Sequence, residues 1–184
     1  DSTGLRQRDP LNTIWSPPVD LRPRAEQLKT LISRDISLTA KESALTGLLH
    51  WLRGDSKEAQ PLLSEAIADG SMSPAVYAAM GQLMMEQRRY SDALEPLGRA
   101  VELSPGQPVL TAMHSTVLGI IGRRRDASVQ LAGLSDRLDD PALVRWKARG
   151  LQAAGEDDAA RSLLTRYLRG QQRDPAAWAL MLSL

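Results

Sequence analysis

The 184-residue sequence predicts an all-α fold in which antiparallel helix pairs stack into a solenoid. The first observation behind this prediction is a pattern that recurs at intervals of 33 or 34 residues, since fixed periods of about 20 to 50 residues are typical of repeat proteins. The second is the spacing of apolar residues by four and then three positions within each copy, which places them on one helical face. The third is a proline that opens four helices in the same register, because proline suits the first position of a helix.

The N-terminal region is predicted to differ from the repeats. Residues 1–23 contain four prolines and are expected to form an extended arm. A helix is expected over residues 24–36, packed on the first repeat, so that the solenoid domain spans residues 24–184. Trp15 is too apolar for a free tail, and we expect it either to dock on the solenoid or to mark a contact with another molecule.

The second helix of each repeat is indicated by an alanine, a leucine four residues later and a third residue three positions beyond. These triplets are Ala59, Leu63 and Ala66; Ala93, Leu97 and Ala100; Ala127, Leu131 and Leu134; and Ala160, Leu164 and Tyr167. The alanines should lie where two helices cross closely, so a larger residue at Ala93 or Ala127 is expected to overpack the contact.

The first helices keep the same register. Their equivalent positions are Gly47, Gly81, Ser115, Ala148 and Leu182, and the prolines that open four of them are Pro74, Pro108, Pro141 and Pro175. The predicted boundaries are four repeats at about 40–73, 74–107, 108–140 and 141–174, followed by a half repeat at 175–184.

The turns between the paired helices support this division. Glycines are available there as C-terminal caps. The expected N-caps of the second helices are Ser56, Ser91, Asp126 and Asp157. Pro61 and Pro96 fall about one turn inside their helices, which are expected to survive the loss of one backbone hydrogen bond.

The second repeat carries the closest match to a known family. Its residues Tyr77, Met80, Gly81, Met84, Ala93, Leu97 and Pro105 resemble the tetratricopeptide pattern W-x2-L-G-x2-Y…A-x3-F…P. The resemblance covers roughly 145 of the 184 residues and places Trp178 in the tryptophan position of the half repeat. It implies a right-handed superhelix.

The sequence also departs from that family pattern. Phenylalanine is absent, so leucine fills the large position, and Ser115 and Leu182 replace the small glycine. The third repeat is the most degenerate. The alternative to a repeat array is an irregular helical bundle.

Composition excludes several classes of protein. The 23 basic and 22 acidic side chains give a net charge of +1, so no overall field draws the protein to nucleic acid or to an anionic membrane. No cysteine is present, which excludes disulfides, thiolate metal sites and a cysteine nucleophile. No apolar run approaches the ~20 residues of a membrane span, so attachment to a membrane would need an anchor or partner outside this sequence.

Catalytic chemistry finds little support, and we expect a non-enzymatic protein without metal or cofactor. The two histidines, His50 and His114, are expected to be packed or boundary residues. Motifs such as H-E-x-x-H and G-x-S-x-G are absent. The acidic run 156–158 is more simply a helix start than an acid/base pair. The basic run 123–125 is interpreted as a solvated turn, since it lacks the interleaved aromatics of single-strand nucleic-acid binding.

The tetratricopeptide resemblance implies a concave groove lined by the first helices. We name its predicted lining the groove strip: Ala44, Leu48, Trp51, Ala78, Gln82, Met85, Ala112, Thr116, Gly119, Arg145, Arg149 and Gln152. This strip is apolar at its start and basic at its end, and it lacks the Lys and Asn pattern that holds a C-terminal carboxylate in some family members. The apolar members are equally compatible with core between repeats. The two arginines could pair with a partner's carboxylates or with acidic residues of the chain itself.

Two functional hypotheses follow. The first is a scaffold that binds a protein or peptide segment, within a bacterial envelope or assembly system suggested by the Arg- and Ala-rich composition and absent cysteine. The second is a regulatory or substrate-recruiting domain of a larger enzyme, such as an envelope protease or glycan-assembly enzyme. The compartment stays open between the periplasm, the membrane surface and the cytoplasm. We also expect the apolar groove to be covered, by the arm around Trp15 or by the Trp178 helix of a neighbouring molecule.

Overall fold

The structure is a computed structural model that describes residues 39–184, with side chains from residue 42 onward. The predicted arm and the predicted helix 24–36 lie outside the described residues, as does Trp15. Nine α-helices fill the described part of the chain: α1 (Thr39–Arg53), α2 (Ser56–Ala68), α3 (Pro74–Glu86), α4 (Tyr90–Leu103), α5 (Pro108–Ile120), α6 (Arg124–Ala132), α7 (Pro141–Ala154), α8 (Asp157–Gly170) and α9 (Pro175–Leu182).

The helices pack mainly with their neighbours in sequence. The helices pair as α1/α2, α3/α4, α5/α6 and α7/α8, and each pair contacts the next, with an extensive contact between α5 and α7. α9 packs on both α7 and α8. The prediction of an all-α fold is confirmed for the described residues, and this sequential packing is consistent with an array of helical repeats.

Proline and aspartate define where the first helices begin. Pro74, Pro108, Pro141 and Pro175 lie in the first turn of α3, α5, α7 and α9, as predicted. A carboxylate precedes two of these prolines and caps the helix. Asp140 accepts a hydrogen bond from the Leu143 amide, and Asp174 accepts from the amides of Ala176 and Ala177. The prolines inside α2 and α4 leave both helices continuous, which was also expected.

The predicted N-caps of the second helices are wrong. The structure places Ser56, Ser91, Asp126 and Asp157 inside the first turns of α2, α4, α6 and α8, and the cap positions are Asp55, Arg89, Arg123 and Glu156. None of these four cap residues makes a side-chain cap hydrogen bond. The physical reason is that each helix begins earlier than predicted. The amide of the equivalent alanine in each second helix donates to the backbone carbonyl four residues before it, at Asp55, Arg89, Arg123 and Glu156. Asp126 instead pairs with the Arg123 guanidinium at 2.6 Å.

The short turns between paired helices use a left-handed residue. Gly54, Gly122 and Gly155 have φ angles of 84°, 90° and 86°. Arg88 holds the equivalent place in the second repeat with φ 60°, and it is the single non-glycine residue with positive φ in the described part of the chain. A side chain in this conformation is strained because Cβ approaches the following carbonyl.

The core follows the predicted alanine and leucine pattern. The four equivalent alanines and the four leucines that follow them are fully buried. In the first two pairs, the leucine of the second helix packs against the glycine of the first helix. A Cβ atom added at Gly81 would lie 2.5 Å from Leu97 Cγ, and one added at Gly47 would lie 3.0 Å from Leu63. Small residues at these positions therefore set the close approach of the paired helices.

Two positions in this pattern do not behave as the others do. Leu134 lies beyond the end of α6 and is only partly buried. Leu182, at the position of the small residue in the other first helices, is 84% exposed. Leu134 follows the end of α6 and still packs against the core cluster, whereas Leu182 is the last residue of α9.

The third pair is irregular, as its degenerate sequence suggested. α6 has only nine residues, and the first helices α5 and α7 cross closely beside it. A Cβ atom added at Gly119 would lie 2.7 Å from the backbone carbon of Ala153. The hydroxyl of Thr116 donates to the Ala112 carbonyl at 2.8 Å and lies 3.4 Å from the Trp146 carbonyl.

A buried lysine holds the loop that follows the short α6. The ammonium of Lys147 donates to the Leu134 carbonyl and to the Asp136 carboxylate, the latter at 2.7 Å. Arg166 of α8 pairs with the other oxygen of Asp136. The two cations lower the pKa of Asp136 through these hydrogen bonds. The loop is thereby tied to α7 and α8, where a longer second helix would otherwise pack.

Candidate functional site

The groove strip falls into three sections that differ in exposure. Its first section lies on α1 and α3, its second on α5 and its third on α7. In the first section, Leu48, Trp51 and Ala78 are partly exposed, whereas Ala44 and Met85 are buried. Leu48 and Trp51 also pack against the apolar cluster around α2 and α3. These side chains therefore serve as core on one side and surface on the other.

A buried glutamine in this first section is hydrogen-bonded to an exposed glutamate beside the strip. Gln82 is only 6% exposed, and its side chain hydrogen-bonds to Glu86 one turn further along α3. Glu86 also accepts a hydrogen bond from the Ser56 hydroxyl at 3.2 Å. Burial raises the pKa of Glu86, although both hydrogen bonds favour its ionised form. The Glu86 side chain itself is exposed, so the α3 end of the groove strip has a solvent-accessible carboxylate beside it.

The second section of the strip is enclosed. Ala112, Thr116 and Gly119 are buried where α5 crosses α7. The close approach of Gly119 to Ala153 leaves no room for even a methyl group between the two backbones. The strip is therefore interrupted between its apolar and basic sections.

The third section makes contacts within the chain. The Arg145 guanidinium lies 2.9 Å from Asp174 Oδ2, with only 15% and 9% of the two side chains exposed. The Arg149 guanidinium lies 5.6 Å from the centroid of the Trp146 ring, which is a cation–π contact. Gln152 donates to the Ser183 carbonyl at 3.2 Å. All three strip residues on α7 thus have partners in their own molecule.

Asp174 is the centre of the network at this end. Its Oδ1 caps α9, while its Oδ2 accepts from the Tyr167 hydroxyl at 2.7 Å and from Arg145. Burial opposes its ionisation, but the Ala177 amide, the Tyr167 hydroxyl and the Arg145 charge outweigh burial, so the pKa of Asp174 is lowered. Burial and the donated hydrogen bond raise the pKa of Tyr167 to about 12.

Sequence reasoning missed this network. It used Pro175 to place the start of α9 but gave no role to the aspartate before it. The dipeptide Asp-Pro occurs at both 140–141 and 174–175. A capping carboxylate immediately before a proline at N1 was the signal that would have identified Asp174.

Three buried polar atoms have no hydrogen-bond partner among the described residues. They are Gln82 Oε1, Arg145 Nε and Trp146 Nε1. Two belong to the groove strip and the third to the residue beside Arg145. One is an acceptor and two are donors, and buried groups of this kind are rare in folded proteins because each costs free energy.

The other polar clusters have local partners. His50 Nδ1 lies 3.3 Å from Asp55, and His114 Nδ1 lies 3.0 Å from Gln130. Asp157 and Asp158 lie in the first turn of α8, which agrees with the helix-start interpretation. The basic run was assigned to a turn, but Arg124 already begins α6.

Two further features are absent from the described residues. No group of three or more His, Asp or Glu side chains in residues 42–184 is arranged to hold a metal ion. Across the described helices, none combines the length and hydropathy that crossing a membrane requires.

Two clefts on the surface of the described helices are lined by residues outside the groove strip. The larger, about 850 Å³, lies between α2, α3 and α4. The smaller, about 270 Å³, lies between α6, α7 and α8 beside Lys147 and Arg166.

Comparison with known proteins found neither a matching family model nor a matching curated protein. The described part of the chain is an all-helical domain of sequentially paired helices.

Proposed function

We propose that the chain is a non-catalytic scaffold built of tetratricopeptide-like repeats, and that it binds a segment of a partner protein along the groove strip. The periodic helix pairs support the repeat assignment, because four equivalent alanines are buried at the same place in successive pairs. Repeat arrays of this kind present extended surfaces. We place the scaffold in a bacterial envelope or assembly system on the composition described above.

The buried atoms without hydrogen-bond partners support the proposal that the strip binds an extended peptide. Gln82 Oε1 needs a donor, while Arg145 Nε and Trp146 Nε1 need acceptors. A peptide backbone offers an N–H and a C=O at every residue. The three atoms are buried in the free protein, so the side chains above them rotate when a peptide binds. In the complex, the three atoms form hydrogen bonds that they lack in the free protein.

The partly exposed members of the strip define the rest of the partner. Leu48, Trp51 and Ala78 offer apolar contact at one end, and aromatic side chains often dominate binding energy. Arg149 offers positive charge at the other end, where it lies over the Trp146 ring. A segment with an apolar anchor and an acidic residue fits this order.

Selection from a random 12-residue peptide display library tests the proposal, with dissociation constants of the selected peptides measured by calorimetry. We expect Trp51→Ala and Arg149→Glu each to raise the dissociation constant about tenfold, which corresponds to ~1.4 kcal/mol. Matched controls are Val129→Ala and Arg125→Glu, since both side chains are exposed on α6 outside the strip. Peptides that lose affinity equally with the controls, or a library that yields no binder, would contradict the proposal.

The alternative function is a regulatory or substrate-recruiting domain of a larger enzyme. Both functions use the same strip, so the fold does not separate them. The gene sequence on either side of the segment does. A catalytic motif there favours the recruiting domain, and further repeats or a membrane anchor favour the scaffold.

A further inference from the structure

The cleft between α2, α3 and α4, which we call the α2–α4 cleft, has an apolar floor. Tyr77, Met80 and Met84 are spaced by three and then four residues, so they share one face of α3 and form this floor. The groove-strip residues Ala78 and Met85 follow Tyr77 and Met84 by one position, which turns them by about 100° around the same helix. The cleft and the groove strip therefore share no residue and lie on different faces of α3.

The register position of Met80 is filled by polar side chains in the next two pairs. His114 and Lys147 follow Met80 by 34 and then by a further 33 residues. His114 Nδ1 lies 3.0 Å from Gln130 Oε1, and Lys147 donates to the Asp136 carboxylate at 2.7 Å. Met80 ends in a thioether, which is only a weak hydrogen-bond acceptor. The floor of the α2–α4 cleft is therefore apolar where the following pairs form polar contacts.

The walls of the cleft are apolar next to this floor. Ile67 of α2 and Leu94 and Pro96 of α4 belong to the lining. Methionine side chains adapt to irregular apolar groups, so Met80 and Met84 can pack around a large inserted side chain. The cleft volume of about 850 Å³ lies in the range of about 300–1,000 Å³ that is typical of ligand sites. The cleft can therefore accept apolar side chains of a binding partner.

The charged side chains of the cleft lining are mainly acidic: Asp92, Glu95, Glu102 and Arg99. Arg99 is engaged within the chain, since its guanidinium donates to Glu102 at 2.8 Å and hydrogen-bonds to the Tyr77 hydroxyl. The Arg99 guanidinium also lies 3.9 Å from the Met72 sulfur. Three acidic groups against one basic group leave the lining with a charge of −2.

Glu95 is the acidic group of the lining that lacks an ion partner. Asp92 pairs with Arg89 at 2.6 Å, whereas Glu95 is exposed and forms no ion pair among the described residues. Residues 39–107, which contain the whole cleft, carry nine acidic and six basic side chains, although the net charge of the full sequence is +1. The charge around the cleft therefore attracts cationic groups.

We propose that the α2–α4 cleft binds a basic amphipathic segment of a partner protein. Apolar side chains of the segment lie on the methionine floor, and a lysine or arginine beside them pairs with Glu95. An acidic segment is disfavoured because it brings like charges together at the rim of the cleft. The groove strip was proposed to bind an acidic segment, so the two surfaces select segments of opposite charge. The inference does not rest on the groove strip.

Calorimetric titration of the 184-residue chain with two synthetic peptides tests this inference. The first peptide is an amphipathic helix of leucine and lysine, and the second carries glutamate in place of each lysine. We expect the lysine peptide to bind with one-to-one stoichiometry and at least tenfold more tightly than the glutamate peptide. Glu95→Arg should raise the dissociation constant of the lysine peptide about tenfold, because repulsion replaces attraction. Ile67→Ala should also raise it about tenfold, because it removes part of the apolar wall.

Matched controls lie on helices outside both surfaces. Asp157→Arg makes the same change of net charge at an exposed position of α8, and Val129→Ala truncates a 69% exposed apolar residue of α6. Both should leave the affinity for the lysine peptide unchanged. Trp51→Ala, in the groove strip, should leave it unchanged as well, so failure of this inference can be told from failure of the strip. Circular dichroism of each variant establishes that the fold is retained.

Several outcomes would overturn the inference. The first two are a lysine peptide that shows no saturable binding and a glutamate peptide that binds with equal affinity. The next two are equal losses in Glu95→Arg and Asp157→Arg, and a loss caused by Trp51→Ala that Glu95→Arg does not cause. Sedimentation of the chain without peptide gives the last one, since self-association that Glu95→Arg abolishes would place a second copy of the chain in the cleft.

Discussion

Asp174 joins three interactions, and replacing it with alanine tests how the last helix is held. The change removes the cap of α9, the acceptor of the Tyr167 hydroxyl and the ion partner of Arg145. Loss of a cap costs about 1 kcal/mol, and an unsatisfied buried hydroxyl costs about 1 kcal/mol. Leaving a buried charge unpaired costs about 3 kcal/mol. We reduce that last figure to about 1–2 kcal/mol because part of the Arg145 side chain reaches solvent. Asp174→Ala should therefore lower the free energy of unfolding by about 3–4 kcal/mol.

Asp140 provides a matched control for this change. It precedes Pro141 as Asp174 precedes Pro175, and it caps α7 by accepting from the Leu143 amide at 3.0 Å. No ion pair involves Asp140 among the described residues, so Asp140→Ala should cost only the cap, about 1 kcal/mol. Asp174→Asn keeps one acceptor oxygen, which serves the cap, and replaces Oδ2 with an NH2 group. It therefore removes the ion partner of Arg145 and the acceptor of the Tyr167 hydroxyl together, about 2–3 kcal/mol, and leaves the cap.

Urea unfolding followed by circular dichroism measures these differences, and tryptophan fluorescence reports release of α9 through Trp178. The pKa of Asp174 is lowered in the folded protein, so its contribution is present above the unfolded pKa and is lost as pH falls through the folded value. The gap between the parent and Asp174→Asn should accordingly narrow in acid. An Asp174→Ala protein within about 0.5 kcal/mol of Asp140→Ala would refute this account of the network.

Three further changes test the turns and the core. Arg88→Gly should raise the free energy of unfolding by about 1 kcal/mol, because it relieves a positive φ at a position that is glycine in the other repeats; an unchanged urea midpoint would contradict this. Ala93→Leu should cost ~1–3 kcal/mol by overpacking a fully buried position, and a parent-like melting temperature would show that the repeat register is wrong. Glu86→Gln should stabilise the protein at pH 7, because burial raises the pKa of Glu86 and disfavours its charged form. That advantage should shrink as pH falls through the raised pKa, and a gain that is the same at every pH would argue against it.

The helix pairs and their buried alanines could be predicted because both follow from the spacing of residues close together in the sequence. A proline at the first position and an alanine at each crossing recur every 33 or 34 residues, so four copies reinforce one another. The second-helix caps could not be predicted in the same way. Asp126 was expected to cap α6, but the helix begins before it, and the arginine three residues earlier binds its carboxylate. Competition between two side chains is not visible in the position of either one.

The crossing of α5 and α7 was also beyond the sequence pattern. Thr116 and Gly119 occupy the same register as Gln82 and Met85, which the resemblance assigned to the groove. Such a position faces either a partner or the next first helix, and the choice depends on where the second helix of its own pair ends. Here α6 stops at Ala132, and the loop pinned by Lys147 takes the place of its last turn. The small residues of α5 then meet α7 directly.

This closed crossing constrains how a partner can use the groove strip. The apolar section on α1 and α3 and the basic section on α7 are separated by the contact between Gly119 and Ala153, where the two backbones leave no space for an inserted side chain. A segment that reaches both sections must therefore pass over the crossing and make its side-chain contacts on either side of it. The partner residues that pass over the crossing contribute to binding only through their backbone. The contacts with Trp51 and Arg149 lie on either side of the crossing and have different surroundings. Substitutions at these two positions should then add in free energy, as changes at distant sites without shared partners do.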